Sequence, residues 1–151
     1  MDPSIVLTAL TEADADFIAQ LAADKRITAY IGDGQPWSDQ YTGQRIEDAI
    51  NSPEISWFVA RRDGIRVGLF TAVQREQATE IGYWIAPEFW GQGLAKAIVA
   101  LGIKALNAVG FSQLMARVMP ENKASLKVLQ RLGFVVQEDT AELITMRQSV
   151  V

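Results

Sequence analysis

The stretch Glu80 to Lys96, EIGYWIAPEFWGQGLAK, ends a strand-like run at Pro87 and restarts as a helix through Gly91-Gln92-Gly93-Leu94-Ala95-Lys96. Two glycines flanking one residue let the backbone bend tightly and approach a ligand closely. The helix behind them aims unpaired N–H groups and the positive end of its dipole at whatever lies in front. That arrangement binds anions, and we read the turn as a diphosphate cradle. A lone Gly-x-Gly is equally an ordinary glycine-softened turn, so the motif carries weight only in company.

Its company is Asn122-Lys123-Ala124-Ser125, running on to Leu132-Gly133-Phe134 and following a strand that ends at Val118-Met119-Pro120. Asn122 suits a helix N-cap and Gly133 a C-terminal cap, so helix architecture alone accounts for much of this segment. The two constellations nevertheless occur in order in one small chain, each just past the end of a strand. Two other nucleotide signatures fail: a dinucleotide fingerprint needs glycine where Lys96 stands, and no Gly-Lys-Ser/Thr phosphate loop is present.

Composition narrows the chemistry. The 151 residues, 49% hydrophobic, suit one domain spanning 1–151. No cationic leader and no long apolar run is present, so a cytoplasmic protein without a membrane partner is expected. Fourteen Lys plus Arg against 18 Asp plus Glu give a net charge of −4, which argues against a nucleic-acid partner and favours a cationic or amine-bearing one. With no cysteine, disulfides, thiolate metal sites and acyl-cysteine intermediates are excluded; with no histidine, the Ser-His couple goes too. No metal site is expected. Any proton transfer must use carboxylates, hydroxyls, lysine, backbone or water, which favours direct group transfer over covalent relay.

The elements that must hold these residues follow from periodicity. Ile5 to Leu10 reads as a strand, and Thr11-Glu12 with Asp14 opens a helix with Phe17, Ile18, Leu21 and Ala22 at helical spacing. Lys25 to Gly43, with Gly32, Gly34 and Pro36, reads as an irregular connection, and Gln44 to Asn51 as a short helix. Ser56 to Arg62 and Ile65 to Val73 form a hairpin about Asp63-Gly64. Then come a strand Thr79 to Ile85, a long helix Gly93 to Val109, a strand Leu114 to Val118, a helix Lys123 to Leu132, and a closing pair, Phe134 to Glu138 with Glu142 to Met146. The crossover through the long helix makes the strands on either side of it parallel, with the glycine turn at a strand's C-terminal end, where ligands bind.

Glu80 to Phe134 resembles the GCN5-related N-acetyltransferases, and most nearly their subgroup that includes the ribosomal-protein N-terminal acetyltransferases. The family pattern Arg/Gln-x-x-Gly-x-Gly/Ala falls on Trp90-Gly91-Gln92-Gly93-Leu94-Ala95, and the family's Asn followed later by Gly-Phe falls on Asn122, Gly133 and Phe134. The resemblance implies an α+β fold, a mixed and mostly antiparallel central sheet of about seven strands with helices on both faces. It implies an acetyl-coenzyme A dependent N-acetyltransferase, with acetyl-coenzyme A as donor and a primary amine as acceptor, on a small molecule or a protein N-terminus. A non-catalytic acyl-coenzyme A sensor or interaction module is the alternative, and homodimerisation is left open.

By the same resemblance, the turn Gly91, Gln92, Gly93, Leu94, Ala95 and Lys96 takes the pyrophosphate. Tyr83, Trp84 and Ile85 pair their backbone with the pantetheine arm, and Asn122 bonds near it. Two positions depart from the pattern: Trp90 replaces Arg or Gln, and Leu129 stands where many members carry a tyrosine acid. Ser125, one helical turn after Asn122, is the expected replacement acid, and Glu80 the expected assisting base. Strand alternation sets Tyr83 and Glu80 on opposite faces, so only one is expected to face the acceptor. Tyr30, Trp37 and Asp33, with Asp39 nearby, are the expected clasp for a cationic acceptor, and Lys123 and Lys127 are candidates for the coenzyme's 3′-phosphate.

Overall fold

The computed structural model describes residues 4–149, with only the backbone of Ser149. Seven strands form one sheet in the order β1-β2-β3-β4-β5-β7-β6. They are β1 (Ile5–Ala9), β2 (Ile55–Arg62), β3 (Ile65–Gln74), β4 (Thr79–Ile85), β5 (Gln113–Val118), β6 (Val135–Asp139) and β7 (Ile144–Ser149). Every neighbouring pair is antiparallel except β4 and β5, which the crossover helix joins in parallel. The expected mixed sheet is the one observed.

The β2–β3 hairpin turns at Asp63 and Gly64, both left-handed with φ of 52° and 81°. That is the backbone an Asp-Gly pair supplies to a tight hairpin. The turn end of the hairpin is tied to the N-terminal part of the chain by Asp14, 1% exposed. Its carboxylate accepts from the Thr11 amide at 3.0 Å, Arg61 Nη2 at 2.9 Å and Arg66 Nε at 2.8 Å.

Helices cover both faces. On one lie α4 (Leu94–Ala108) and α5 (Lys123–Arg131), which bury Ile98, Val99, Leu106 and Leu129 against Phe70, Ala72 and Ile81. Gly102 permits this packing: a Cβ there would stand 2.4 Å from the Phe70 ring. On the other face α1 (Ala15–Ala22) and α3 (Asp39–Asn51) bury Ile18, Ile46 and Ala49 against Trp57, Val59 and Leu69.

The segment expected to be irregular, Lys25 to Gly43, is more ordered than its glycines and proline suggest. It holds a helical turn, α2 (Lys25–Thr28), and the first residues of α3, which starts at Asp39 rather than Gln44. Ser38 supplies the cause, its side chain accepting the Tyr41 amide as an N-cap at 3.1 Å. Gly43 inside the helix costs only about 1 kcal/mol, which tertiary packing overrides.

The feature that makes a site is the parting of β4 from β5. Their pairing is confined to Thr79 with Leu114 and Glu80 with Met115, so the remainder of β4 diverges from its neighbour. The Ala86 amide donates to the Val67 carbonyl, which fixes the alternation of the β3–β4 ladder. By that alternation Tyr83 and Ile85 turn their backbone N–H and C=O away from β3 and into the gap.

Candidate active site

Two cavities meet at this gap. One, of about 400 Å³, runs along the glycine turn and is lined by Ile85, Trp90, Gly91, Gly93, Leu94 and Ala95. The other, of about 430 Å³, lies under α2 and α3 and is lined by Trp37, Arg45, Trp57, Arg75, Glu80 and Arg117. Ile27, Tyr30, Tyr83, Trp84, Asn122 and Ser125 line both.

The glycine turn has the geometry an oxyanion cradle needs. Gly91 and Gly93 have φ of 79° and 74°, and an added Cβ at either would meet no protein atom within 4 Å. The space in front of the turn is open, and the first amides of α4 face it from behind Gly93, its N-cap. Gln92 and Lys96 are exposed and do not line the cavity. Gln92 instead accepts from Arg62 Nη2 at 2.8 Å, which draws a guanidinium from β2 to the edge of the turn. The sequence carries no local sign of that pairing, because the residues are far apart in the chain.

Trp90, the departure from the family pattern, has a structural use. Its indole Nε1 donates to the Ile85 carbonyl at 2.7 Å, occupying one of the backbone groups that the parted strand leaves in the gap. The Ile85 amide lies on the same side of β4 and faces the gap beside the glycine-turn cavity.

Asn122 caps α5, accepting the Ser125 amide at 3.3 Å. Ser125 Oγ lies 2.6 Å from the Tyr83 hydroxyl. Burial pushes the Tyr83 phenol above its ordinary value, and the Ser125 hydrogen bond pulls only partly against that. The phenol is therefore protonated at neutral pH. Leu129, 1% exposed, sits one turn after Ser125 and offers no proton; the phenol at this centre enters from β4 instead.

Tyr83 and Glu80 do lie on opposite faces of β4, as alternation requires, yet both line the same cavity. Alternation was expected to leave only one of them facing the acceptor; both line this cavity because it passes through the gap between the strands. Glu80 is not free: Arg75 Nε and Arg117 Nη2 donate to Oε1 at 3.1 and 3.0 Å, and Arg117 Nε to Oε2 at 2.9 Å.

Of the expected acceptor clasp, Tyr30 and Trp37 line the cavity and Asp33 does not. Asp33 accepts the Gln35 amide at 3.0 Å and shapes its own turn. Trp37 stands edge-on to both Tyr41 and Trp84, each with a centroid separation of 5.0 Å, making an aromatic wall. Lys123 and Lys127 are exposed on α5 and line neither cavity. Among the described residues no group of three or more His, Cys, Asp or Glu is placed to hold a metal, and no helix is long and apolar enough to cross a membrane.

Comparison with known proteins accords with this geometry. The acetyltransferase (GNAT) domain family matches residues 4–135. The uncharacterised N-acetyltransferase YoaA of Bacillus subtilis is 27% identical over 146 residues, covering 86% of this chain and 78% of its own length. Mycothiol acetyltransferase of Streptomyces coelicolor is 38% identical over 109 residues, covering 68% of this chain but only 35% of its own. Among solved structures, spermidine N-acetyltransferase of Vibrio cholerae, in complex with coenzyme A and spermine, superposes with a TM-score of 0.83 at 19% identity, over 97% of this chain and 95% of that one. An acetyltransferase from Salmonella typhimurium that modifies the N-terminal serine of a 50S ribosomal subunit protein gives 0.85 at 16% identity, over 99% and 96%. The family match over most of the chain, on a fold shared with those enzymes, shows that this chain belongs to the GNAT family and is an N-acetyltransferase.

Proposed function

We propose that the chain transfers an acetyl group from acetyl-coenzyme A directly to a primary amine, with both held at once. The observation that carries this is the meeting of two cavities at one hydroxyl pair, Tyr83 and Ser125. The glycine-turn cavity would take the donor, with the pyrophosphate at Gly91 to Ala95 and the pantetheine arm along Tyr83 to Ile85. The arginine-lined cavity would take the acceptor. The residues present fit the donor: an open positive-φ turn, helix amides behind it and unspent strand groups beside it.

Positioning supplies most of the rate when two reactants are fixed at contact distance. The Ile85 amide, turned into the gap, would stabilise the oxyanion that develops on the acyl carbonyl. Ser125, backed by the protonated Tyr83, would deliver a proton to the departing thiolate. The amine must lose a proton as it attacks. A carboxylate has about four lone-pair sites, and three guanidinium N–H groups occupy three of them on Glu80. The remaining site, on Oε2, is available to a water that takes up that proton. The Tyr83 phenol supports the catalytic reading over a non-catalytic module, since it would supply the proton that Leu129 cannot.

Initial-velocity kinetics over a panel of amines tests the proposal. Intersecting double-reciprocal lines, and no acetylated protein that passes its group to an amine, are expected for direct transfer. Parallel lines with an isolable acetyl-enzyme would overturn it.

A further inference from the structure

The arginine-lined cavity has the wrong charge for a polycation. Three guanidinium groups, Arg45, Arg75 and Arg117, line it against a single carboxylate, Glu80, although the whole chain carries a net charge of −4. Arg75 and Arg117 share that carboxylate, which leaves Arg45 uncompensated.

Two unsatisfied donors mark the same place. Four buried side-chain polar atoms have no partner among the described residues, and two of them, Arg45 Nε and Trp57 Nε1, belong to residues that line this cavity. Trp57 is 4% exposed, and the Arg45 guanidinium carbon stands 5.8 Å over its ring, so the two donors belong to one stacked pair. Both groups can only donate. A buried donor without an acceptor is costly, and a ligand oxygen is the species that relieves both. The pair sits where α3 crosses β2, under the aromatic wall, and the cavity leads from it to Tyr83 and Ser125.

We propose that the acceptor is an amine whose other end carries a carboxylate, held by Arg45 and Trp57 while its nitrogen reaches the Tyr83–Ser125 pair. This rests on the acetyltransferase reading above and deepens it. The Arg45 guanidinium supplies charge-assisted donors to a carboxylate, and the indole it stacks on carries a further unpaired N–H. A polyamine would bring its positive charges to three arginines, and a plain alkylamine would leave both buried donors unpaired. Specificity of this kind is large because the analogue lacking the oxygen leaves polar groups stranded.

The test pairs ω-amino acids of graded length, and glycyl dipeptides, with alkylamines of matched length, with the matching amino-alkyl phosphates, and with spermidine. The best carboxylated amine is expected to exceed its alkyl counterpart in kcat/KM by about tenfold or more. Trp57→Phe, which removes the N–H together with the five-membered ring, and Arg45→Lys, which keeps the charge but loses Nε, should each shrink that ratio toward one. The same pairs titrated by calorimetry into protein saturated with coenzyme A read the preference without turnover. Equal or better use of alkylamines or spermidine, an unchanged ratio in both variants, or preference for the phosphates would overturn the inference while leaving the acetyltransferase reading standing. Failure of coenzyme A to bind would sink that reading itself.

Discussion

The Tyr83 hydroxyl on β4 lies 2.6 Å from Ser125 Oγ on α5, joining the two sides of the parted sheet at the point where the cavities meet. A serine alone is a poor acid, and a buried phenol beside it is a better one that stays protonated. Tyr83→Phe and Ser125→Ala should each lower kcat by about 10² with little change in coenzyme affinity. The double variant should lose little more than either single, because both act on one proton. Additive losses would separate their roles. With the phenol raised above its ordinary value of about 10, no alkaline fall in kcat is expected up to that pH.

Coenzyme binding is expected to depend on the left-handed turn. Saturation at a hundred times the dissociation constant should stabilise the protein by about 2.7 kcal/mol, read as a rise in melting temperature. In Gly93→Val the added Cβ would meet no protein atom within 4 Å, but the side chain would stand at a φ of 74° in front of the helix amides. The strain costs about 1–3 kcal/mol in the free protein. The ligand-induced rise should vanish, and a full rise in a folded variant would place the phosphates elsewhere.

How far the sequence led depends on how local each signal is. The Asp63-Gly64 hairpin, the Gly91-Gln92-Gly93 turn and the Asn122 cap each depend on a few adjacent residues whose backbone preferences are strong, and each stands where expected. The start of α3 was obscured because Gly32, Gly34 and Pro36 dominate their segment, while the cap at Ser38 is one residue. The arginine-lined cavity was not legible at all. Arg45, Trp57, Arg75, Glu80 and Arg117 come from separate elements, and only strand register and the parting of β4 from β5 bring them together. Whole-chain charge could not reveal the arginine cluster either, since it averages a surface over which the cavity is a local exception.

Glu80 separates two uses of one carboxylate. If its remaining lone pair carries the water through which the amine's proton leaves, Glu80→Gln should lower kcat by about 10² with KM little changed. If Glu80 serves only to hold Arg75 and Arg117, the same variant should raise KM with kcat intact. We expect the first outcome, and Arg117→Gln, which frees further lone pairs on Glu80, should retain most of kcat.

Acid stability should report on Asp14, far from the chemistry. Burial pushes its carboxyl up, but the Thr11 amide and the Arg66 and Arg61 guanidiniums more than offset this, so it lies below the ordinary carboxylate range. A carboxylate lowered by folding stabilises the native state fully above its unfolded value of about 3.9, and that contribution fades as pH falls toward the folded value. Asp14→Asn should destabilise the protein at pH 7 by about 3 kcal/mol, the low end for a buried pair because both arginines keep contact with water. Below the folded value the aspartate of the parent is protonated too, so the two melting curves should converge there. A difference between them that persists unchanged from pH 7 down to pH 2 would show that Asp14 acts through shape and hydrogen bonding alone, and not through its charge.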